Sequence, residues 1–314
     1  MSEHVLVTGG CGFIGSHIVE ALVSEGHRVR VLDNLSSGHR KNLDAVKGEV
    51  EIIEGDVRDT TTVVAAMQDV SVVFHEAALV SVFDSVERPR DNHDINSTGT
   101  LNVLIAARDH KVRRLVFAST AAIYGNDPTL PKREEMRPQP ESPYGVAKLS
   151  GEHYLRIFYN LYGLETVALR YFNVYGPRQD PRSPYSGVVS KFVQCAREKS
   201  TPTVFGDGQQ TRDFVFVRDI VQANLKAMKT PGVGDGSVFN VASGRTASLL
   251  DLLRVLSELT GQNMEPTFAP VRSGDIRDSA ASIAAIEERM GYRAAHDLKA
   301  GLRELLVHEG VSVI

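Results

Sequence analysis

The stretch Thr8-Gly9-Gly10-Cys11-Gly12-Phe13-Ile14-Gly15 constrains this chain more than any other. It follows His4-Val5-Leu6-Val7-Thr8, a β-branched run too short for a helix and bounded by glycines, which reads as a buried parallel strand. Each glycine then has a mechanical task. Gly9 permits the tight turn, Gly12 lets the backbone approach a pyrophosphate, and Gly15 lets the next helix pack closely on the sheet. A helix opening near Phe13 offers phosphates its unsatisfied N–H groups and the positive end of its dipole. A glycine loop alone also fits an ordinary strand-to-helix turn, so the rest of the chain must decide.

Arg28-Val29-Arg30-Val31-Leu32 reads as the next parallel strand and ends on Asp33, where a carboxylate should meet the adenosine ribose hydroxyls. A carboxylate there repels a 2′-phosphate, which favours NAD over NADP; Arg30, inside the strand, has no route to a phosphate. Glu51-Ile52-Ile53-Glu54 delivers Asp56 and Val57 to the edge where adenine would lie. Val72-Val73-Phe74-His75 runs into Glu76-Ala77-Ala78-Leu79, whose small residues let a cofactor pass close to the backbone. His75 and Glu76 read as a packed strand-end pair rather than as catalysts.

Helical segments from Phe13 to Glu25, Thr60 to Met67, Asn92 to His110 and Tyr144 to Tyr162 alternate with these strands and with Arg114–Phe117 and Thr166–Leu169. This is an α/β chain with a Rossmann-type doubly wound parallel sheet. Beyond Tyr175, proline-rich loops and short mixed elements suggest a smaller mixed α/β substrate-binding domain. The expected division is 1–174 plus 212–242 for the NAD-binding domain, and 175–211 plus 243–314 for the C-terminal substrate-binding domain, the two sharing one cleft. Scattered basic residues and a formal charge of −4 give no sign of nucleic acid or of an anionic membrane surface. No apolar stretch approaches the roughly 20 residues of a membrane span, and the N-terminus lacks signal-peptide features. The two cysteines, Cys11 and Cys195, form neither a disulfide framework nor a zinc site. A cytoplasmic protein with no metal is expected, with Cys11 as a small buried filler.

Tyr144 and Lys148 are four apart at the start of a helix, so both lie on one face. A free tyrosine titrates near ~10 and is no base at neutral pH. A nearby ammonium and the positive nicotinamide ring would stabilise its phenolate. Lys148 is also placed to hold the nicotinamide ribose. The spacing arises on ordinary helices too, and gains force downstream of a dinucleotide fingerprint. A hydroxyl at a strand end should complete the set, and Phe117-Ala118-Ser119-Thr120 supplies two candidates. One would bond the substrate oxygen that Tyr144 deprotonates; the other would face the cofactor or the backbone.

With these residues the chain resembles the extended short-chain dehydrogenase/reductases, within them the NAD-dependent epimerase/dehydratases, and most of all the UDP-hexose 4-epimerases. The resemblance spans nearly the whole length. It is carried by the glycine loop, Gly55-Asp56-Val57-Arg58-Asp59, His75-Glu76-Ala77-Ala78, Ala118-Ser119-Thr120-Ala121-Ala122-Ile123-Tyr124-Gly125 and Ser142-Pro143-Tyr144-Gly145-Val146-Ala147-Lys148. Arg170-Tyr171-Phe172-Asn173-Val174-Tyr175-Gly176-Pro177-Arg178 and Arg212-Asp213-Phe214-Val215-Phe216-Val217 complete it. It implies Tyr144 as base, Lys148 as its partner, and Thr120 at the catalytic hydroxyl with Ser119 beside it. For NAD it implies Gly9, Gly12, Phe13, Ile14, Gly15, Asp33, Asn34, Ser37, Gly38, Asp56, Val57, Ala77, Ala78, Asn96, Tyr144, Lys148 and Tyr171. For a UDP-sugar it implies Val80, Ser119, Thr120, Tyr144, Asn173, Val188 and Val189, with Arg212 and Arg272 on the diphosphate and Asp275 on the uridine ribose. Guanidinium forks suit diphosphate oxygens, and a carboxylate suits paired hydroxyls. One departure is Ser279-Ala280-Ala281-Ser282, where the family often reads Ser-x-Ala-Asp.

Relatives that eliminate water or decarboxylate carry an acid just after the Ser/Thr pair; here Ala121 and Ala122 stand there. What the resemblance then implies is 4-epimerisation. Tyr144 takes the O4 proton, C4 gives hydride to NAD, the 4-keto ring swings about its diphosphate, and hydride returns to the other face, so the cofactor stays bound and is regenerated. A small residue at Ser279, which gates the C2 substituent in 4-epimerases, leads to UDP-GlcNAc/GalNAc beside UDP-Glc/Gal. A UDP-glucuronate 4-epimerase is the alternative, with a dehydrogenase/reductase or a non-catalytic NAD sensor more remote. Helices Asn92–His110 and Tyr144–Tyr162 carry more apolar surface than one sheet face needs, as in a homodimer built on a four-helix contact.

Overall fold

The computed structural model describes residues 2–180, 187–271 and 277–314. Its strands are β1 (His4–Thr8), β2 (Arg28–Asp33), β3 (Val50–Glu54), β4 (Val72–His75), β5 (Arg114–Thr120), β6 (Glu165–Tyr171), β7 (Asn173–Tyr175), β8 (Thr203–Phe205), β9 (Thr211–Arg212), β10 (Phe214–Phe216), β11 (Asp235–Val241), β12 (Ala247–Ser248) and β13 (Thr267–Ala269). The helices are α1 (Phe13–Ser24), α2 (Thr60–Ala66), α3 (Val82–Glu87), α4 (Pro89–His93), α5 (Gly99–Asp109), α6 (Pro143–Tyr162), α7 (Val188–Glu198), α8 (Val217–Lys229), α9 (Leu249–Thr260), α10 (Ala284–Met290) and α11 (Leu298–His308).

Seven strands form one sheet in the order β11-β6-β5-β4-β1-β2-β3, parallel throughout. β1 and β4 are apolar along nearly their whole length because helices cover both faces of the sheet. The two faces hold separate cores. Val5, Val7, Ile18, Val31, Phe74 and Val116 pack on the side of α1 and α8, and Leu6, Val73, Val103, Leu115, Phe117 and Leu155 on the side of α5 and α6. The chain order reverses between β1 and β4, and a ligand crevice belongs beyond the strand ends at such a point. A third core joins α7, α9 and α11 to β10 through Phe192, Phe216, Leu252, Leu256 and Leu302. Phe13 and Ile14 pack against it, so the second lobe leans on the start of α1.

Two features depart from expectation. The helix expected over Asn92–His110 is α4, a π-helical segment Asp94–Thr98 and α5 in series. The extra residue in that turn aims Asn96 sideways at Leu79, whose backbone N–H and carbonyl it bonds at 2.9 Å each. The seventh strand, β11, lies next to β6, bulges between Asp235 and Ser237, and closes one edge of the sheet. No helix among the described residues is long and apolar enough to cross a membrane.

Candidate active site

The C-terminal ends of the strands bring the sequence motifs together. At β1, Gly9 adopts a φ of +69°, and a Cβ there would stand 2.7 Å from the Ala77 nitrogen, so the crest after β4 touches the glycine loop. A Cβ on Gly15 would stand 2.3 Å from the Gly9 carbonyl, which is how closely α1 sits on its loop. No side chain caps the start of α1 at Gly12, which leaves its first N–H groups for an anion. Asp33 is buried; its Oδ2 accepts the Cys11 N–H at 2.9 Å and its Oδ1 the Leu35 N–H at 2.8 Å. A Cβ on Gly38 would stand 2.8 Å from the Cys11 carbonyl carbon and 3.0 Å from Asp33 Oδ2, so this loop lies tight against both. Ser37 is exposed beside it. Asn34 bonds Asp56 at 2.8 Å, Arg58 pairs with the same carboxylate and holds its pKa well below the carboxylate range, and Val57 is buried behind them. The bare α1 terminus, the small Ala77 and Ala78, and the buried acid after β2 fit an adenine dinucleotide.

Several of the side chains singled out in the sequence already have partners within the chain. Arg30 is spent on Glu51 and on the carbonyls of Ala66 and Gln68, as its place within a strand implied. Asn96, expected on the cofactor, is committed to Leu79 and Asn92, so it shapes the loop after β4. Tyr171, also expected there, donates its hydroxyl to Glu76 at 2.9 Å and accepts from Asn224 at 2.7 Å. Ser119 was expected to face the substrate, the cofactor or the backbone. It instead donates to Glu152 at 2.5 Å, because neighbours on a strand point to opposite faces. Cys11 is fully buried and its thiol is pushed up to about 11 by burial, with the Asp33 charge adding, as a filler should be.

α6 carries the expected base. Ser142 caps it through the Gly145 N–H at 3.1 Å, Pro143 sets its first turn, and it ends on left-handed Gly163. Tyr144 and Lys148 lie one turn apart and are both buried. Thr120 lies beside the Tyr144 phenol, whose pKa it helps to hold down, and accepts the Ala122 N–H at 3.1 Å. Lys148 donates to the Ala118 carbonyl at 2.8 Å and stands 4.7 Å above the Phe117 ring. Burial lowers its pKa to about 8 against the opposing pull of Glu76. The phenol behaves differently from expectation: burial pushes Tyr144 up to about 12, Glu76 adds to this, and only Thr120 opposes it. The Lys148 ammonium, turned to Ala118, does not by itself hold the phenol down.

Across the cleft lies a cavity of about 400 Å³ lined by Asn173, Gln179, Val188, Val189, Gln210, Arg212 and Phe214 among others. Four expected substrate residues, Asn173, Val188, Val189 and Arg212, thus share one wall. Asp213 organises that wall. Its carbonyl accepts the Asn173 side-chain amide at 3.2 Å, and its carboxylate takes the N–H groups of Ser243 and Gly244 at 2.7 and 3.0 Å. Ser279 lies one strand over, with its N–H on the Thr211 carbonyl at 3.1 Å, and Val80 is exposed. Arg272 and Asp275 lie outside the described residues. Gln210 and Phe205 carried no sequence signal, and Asp213 only its place in the Arg212–Val217 motif. Among the described residues no group of three or more His, Cys, Asp or Glu side chains is set to hold a metal ion.

Comparison with known proteins agrees with this geometry. Residues 5–242 match the NAD dependent epimerase/dehydratase family. A putative UDP-glucose 4-epimerase of Methanocaldococcus jannaschii is 38% identical over 304 residues, covering 96% of this chain and 97% of that protein. The UDP-N-acetylglucosamine 4-epimerase of Methanobrevibacter ruminantium, solved with UDP-N-acetylmuramic acid, superposes with a TM-score of 0.94 at 37% identity over 98% of both chains. The Thermus thermophilus UDP-glucose 4-epimerase, solved with NAD, gives 0.88 at 39% identity over 97% of this chain and 98% of its own. By the match over residues 5–242 and the identity to these relatives over nearly the whole chain, the chain belongs to the NAD-dependent epimerase/dehydratase family.

Proposed function

We propose that the chain is a UDP-sugar 4-epimerase that interconverts UDP-Glc with UDP-Gal and UDP-GlcNAc with UDP-GalNAc. One observation carries this: Thr120 and the buried Tyr144 phenol stand together at the strand ends beside the uncapped α1, with a cavity holding Arg212 and Asn173 across the cleft. The same reading divides the chain into 1–174 plus 212–242 for the cofactor and 175–211 plus 243–314 for the nucleotide sugar. NAD, when bound, supplies the hydride-accepting ring and a positive charge beside Tyr144. Thr120 orients the sugar hydroxyl, and Tyr144 takes its proton and returns it after the ring has turned. Arg212 holds the diphosphate as the pivot, with Arg272 and Asp275 assigned to the diphosphate and uridine ribose. Ala121 and Ala122, just after Thr120, offer no acid for dehydration. Ser279, small and partly buried beside Thr211, leaves room for a C2 acetamido group.

The same reading makes the chain a cytoplasmic homodimer. Val103, Leu104, Leu155 and Phe158 are buried in the sheet core, which leaves Ile105, Val146, Ile157 and Leu161 exposed on α5 and α6 for a four-helix contact. The test is incubation of the purified protein, without added NAD, with UDP-GlcNAc, UDP-glucose and UDP-glucuronate in turn, with chromatography of the products. C4 epimers of the first two establish the reaction and a retained cofactor. Conversion of UDP-glucuronate alone reassigns the substrate, and net NADH formation rejects epimerisation.

A further inference from the structure

The loop between Thr120 and Tyr144 crosses the edge of the sheet and reaches the segment that begins at Ser279. We propose that Asn240, on the edge strand β11, is a positioning residue that ties segment 279–282 to the turn after Thr120 and so sets how the sugar's C2 substituent is accepted. The proposal rests on the 4-epimerase reading and deepens it at the same site.

Asn240 is fully buried, and its polar atoms bond to separate pieces of chain. Its Oδ1 accepts the Tyr124 hydroxyl at 2.7 Å, and Tyr124 ends the short helical turn Ala121–Tyr124 that Thr120 caps. Its Nδ2 donates to the Lys132 carbonyl at 3.0 Å and to the Ser282 carbonyl at 3.4 Å. Its backbone N–H leaves the sheet edge and donates to Glu134 Oε1 at 2.8 Å. An edge strand exposes such groups, and here the loop carrying Lys132 and Glu134 covers them.

Lys132 extends the contact. Its N–H donates to the Ala280 carbonyl and its carbonyl accepts the Ser282 N–H, both at 2.8 Å, forming a parallel bridge around Ala281. On its other side the segment is tied to β9. The Ser279 N–H donates to the Thr211 carbonyl at 3.1 Å, and the Thr211 hydroxyl donates to Asp278 Oδ1 at 2.6 Å. Thr211 stands between Gln210 and Arg212, which both line the cavity. A small fourth core of Ile123, Tyr124, Phe172, Ala242 and Ala281 packs the same pieces together.

Segment 279–282 is therefore held twice. The Thr211 tie sets it against the diphosphate side of the cleft, and the Asn240 tie sets it against Thr120 and Tyr144, where C4 reacts. A sugar spanning the two depends on both ties, whereas the nucleotide depends on the first. Loss of Asn240 should thus weaken the hold on the sugar and spare the nucleotide. A C2 acetamido group, which extends further towards Ser279 than a hydroxyl, should suffer more.

The test is Asn240→Leu, close in size and without side-chain polar atoms, in NAD-loaded protein carrying Tyr144→Phe so that no ligand is converted. Lys132 keeps its bond from the Ser282 N–H, and Tyr124 keeps its bond from Arg170 at 2.8 Å. Dissociation constants for UDP, UDP-glucose and UDP-GlcNAc are measured by equilibrium dialysis, beside hydrogen exchange of peptides covering 277–283. UDP should bind within about twofold of the parent, UDP-glucose about threefold more weakly and UDP-GlcNAc about tenfold more weakly. Exchange over 277–283 should quicken about tenfold. A residue that serves fold stability alone lowers the urea midpoint and leaves the three constants in their parental ratios, which overturns the proposal, as does unchanged exchange. If Asn240→Leu does not fold, Tyr124→Phe replaces it, releasing Asn240 Oδ1 while the ring stays in its core. Smaller losses in the same order are then expected, and parental ratios again overturn the proposal. A parent protein that binds none of the three ligands rejects the 4-epimerase reading and this proposal with it. Parental binding that Asn240→Leu leaves in proportion rejects the proposal alone.

Discussion

Ser119 turns its hydroxyl away from Tyr144 and donates it at 2.5 Å to Glu152, which Arg170 grips at 2.7 Å from the other side. Its chain neighbour Thr120 faces the phenol instead. Two adjacent hydroxyls therefore have separate tasks. Thr120→Val should lower turnover about a hundredfold with little change in the urea midpoint. Ser119→Ala should leave turnover near wild type and cost about 1 kcal/mol of stability, because a buried acceptor loses a donor. Steady-state rates and urea unfolding on the same samples separate the two.

Tyr144→Phe removes the phenol of the proposed base and keeps its ring. Turnover should fall by about 10²–10⁴ while NAD remains bound, read as cofactor released on denaturation. Unchanged turnover would discard the proposed base.

The Glu152–Arg170 pair is almost wholly enclosed, each side chain 4% exposed. Arg170 also reaches the Tyr124 hydroxyl at 2.8 Å, and Tyr124 bonds Asn240 at 2.7 Å, so one guanidinium ties together α6, β6, β11 and the turn after Thr120. Arg170→Met strands a buried carboxylate and should cost about 3–5 kcal/mol in urea unfolding. Replacing Glu152 by Leu in the same chain should restore much of that loss, since the stranded charge goes with it.

Gly15→Ala puts a methyl carbon 2.3 Å from the Gly9 carbonyl, which is backbone and has nowhere to turn. α1 must lift off its loop. A loss of about 1–3 kcal/mol in stability is expected, together with weaker NAD binding by equilibrium dialysis. Binding equal to wild type would mean that the loop and helix need not be in contact.

Two histidines, His75 fully buried and His17 partly buried, make the fold acid-sensitive. Burial lowers His75 to about 3 and His17 to about 4, whereas in the unfolded chain both titrate near 6.5. Between those values the unfolded state binds protons that the folded state refuses, so stability falls as pH drops from about 6.5 towards 3. The urea midpoint should be lower at pH 5 than at pH 7, and His17→Asn should reduce the difference.

What the sequence determined by itself was local. Gly9 and Gly15 are required by backbone geometry within the loop they occupy, Tyr144 and Lys148 share a face through helical spacing alone, and β-branched runs mark the central strands. Those constraints act over a few residues, so they are readable without a fold. The tertiary structure decided how Ser119 and Thr120 divide: the face of β5 under α6 carries Ser119 to Glu152, while Thr120 comes beside the phenol only at the strand end. It decided that Asn96 braces a loop, through one π-helical turn whose extra residue leaves no periodic trace. It also joined Glu76 to Tyr171 and Tyr171 to Asn224, across separations of 95 and 53 residues. Contacts of that range come from the strand order, which is a property of the whole packed sheet, and no spacing along the chain encodes them.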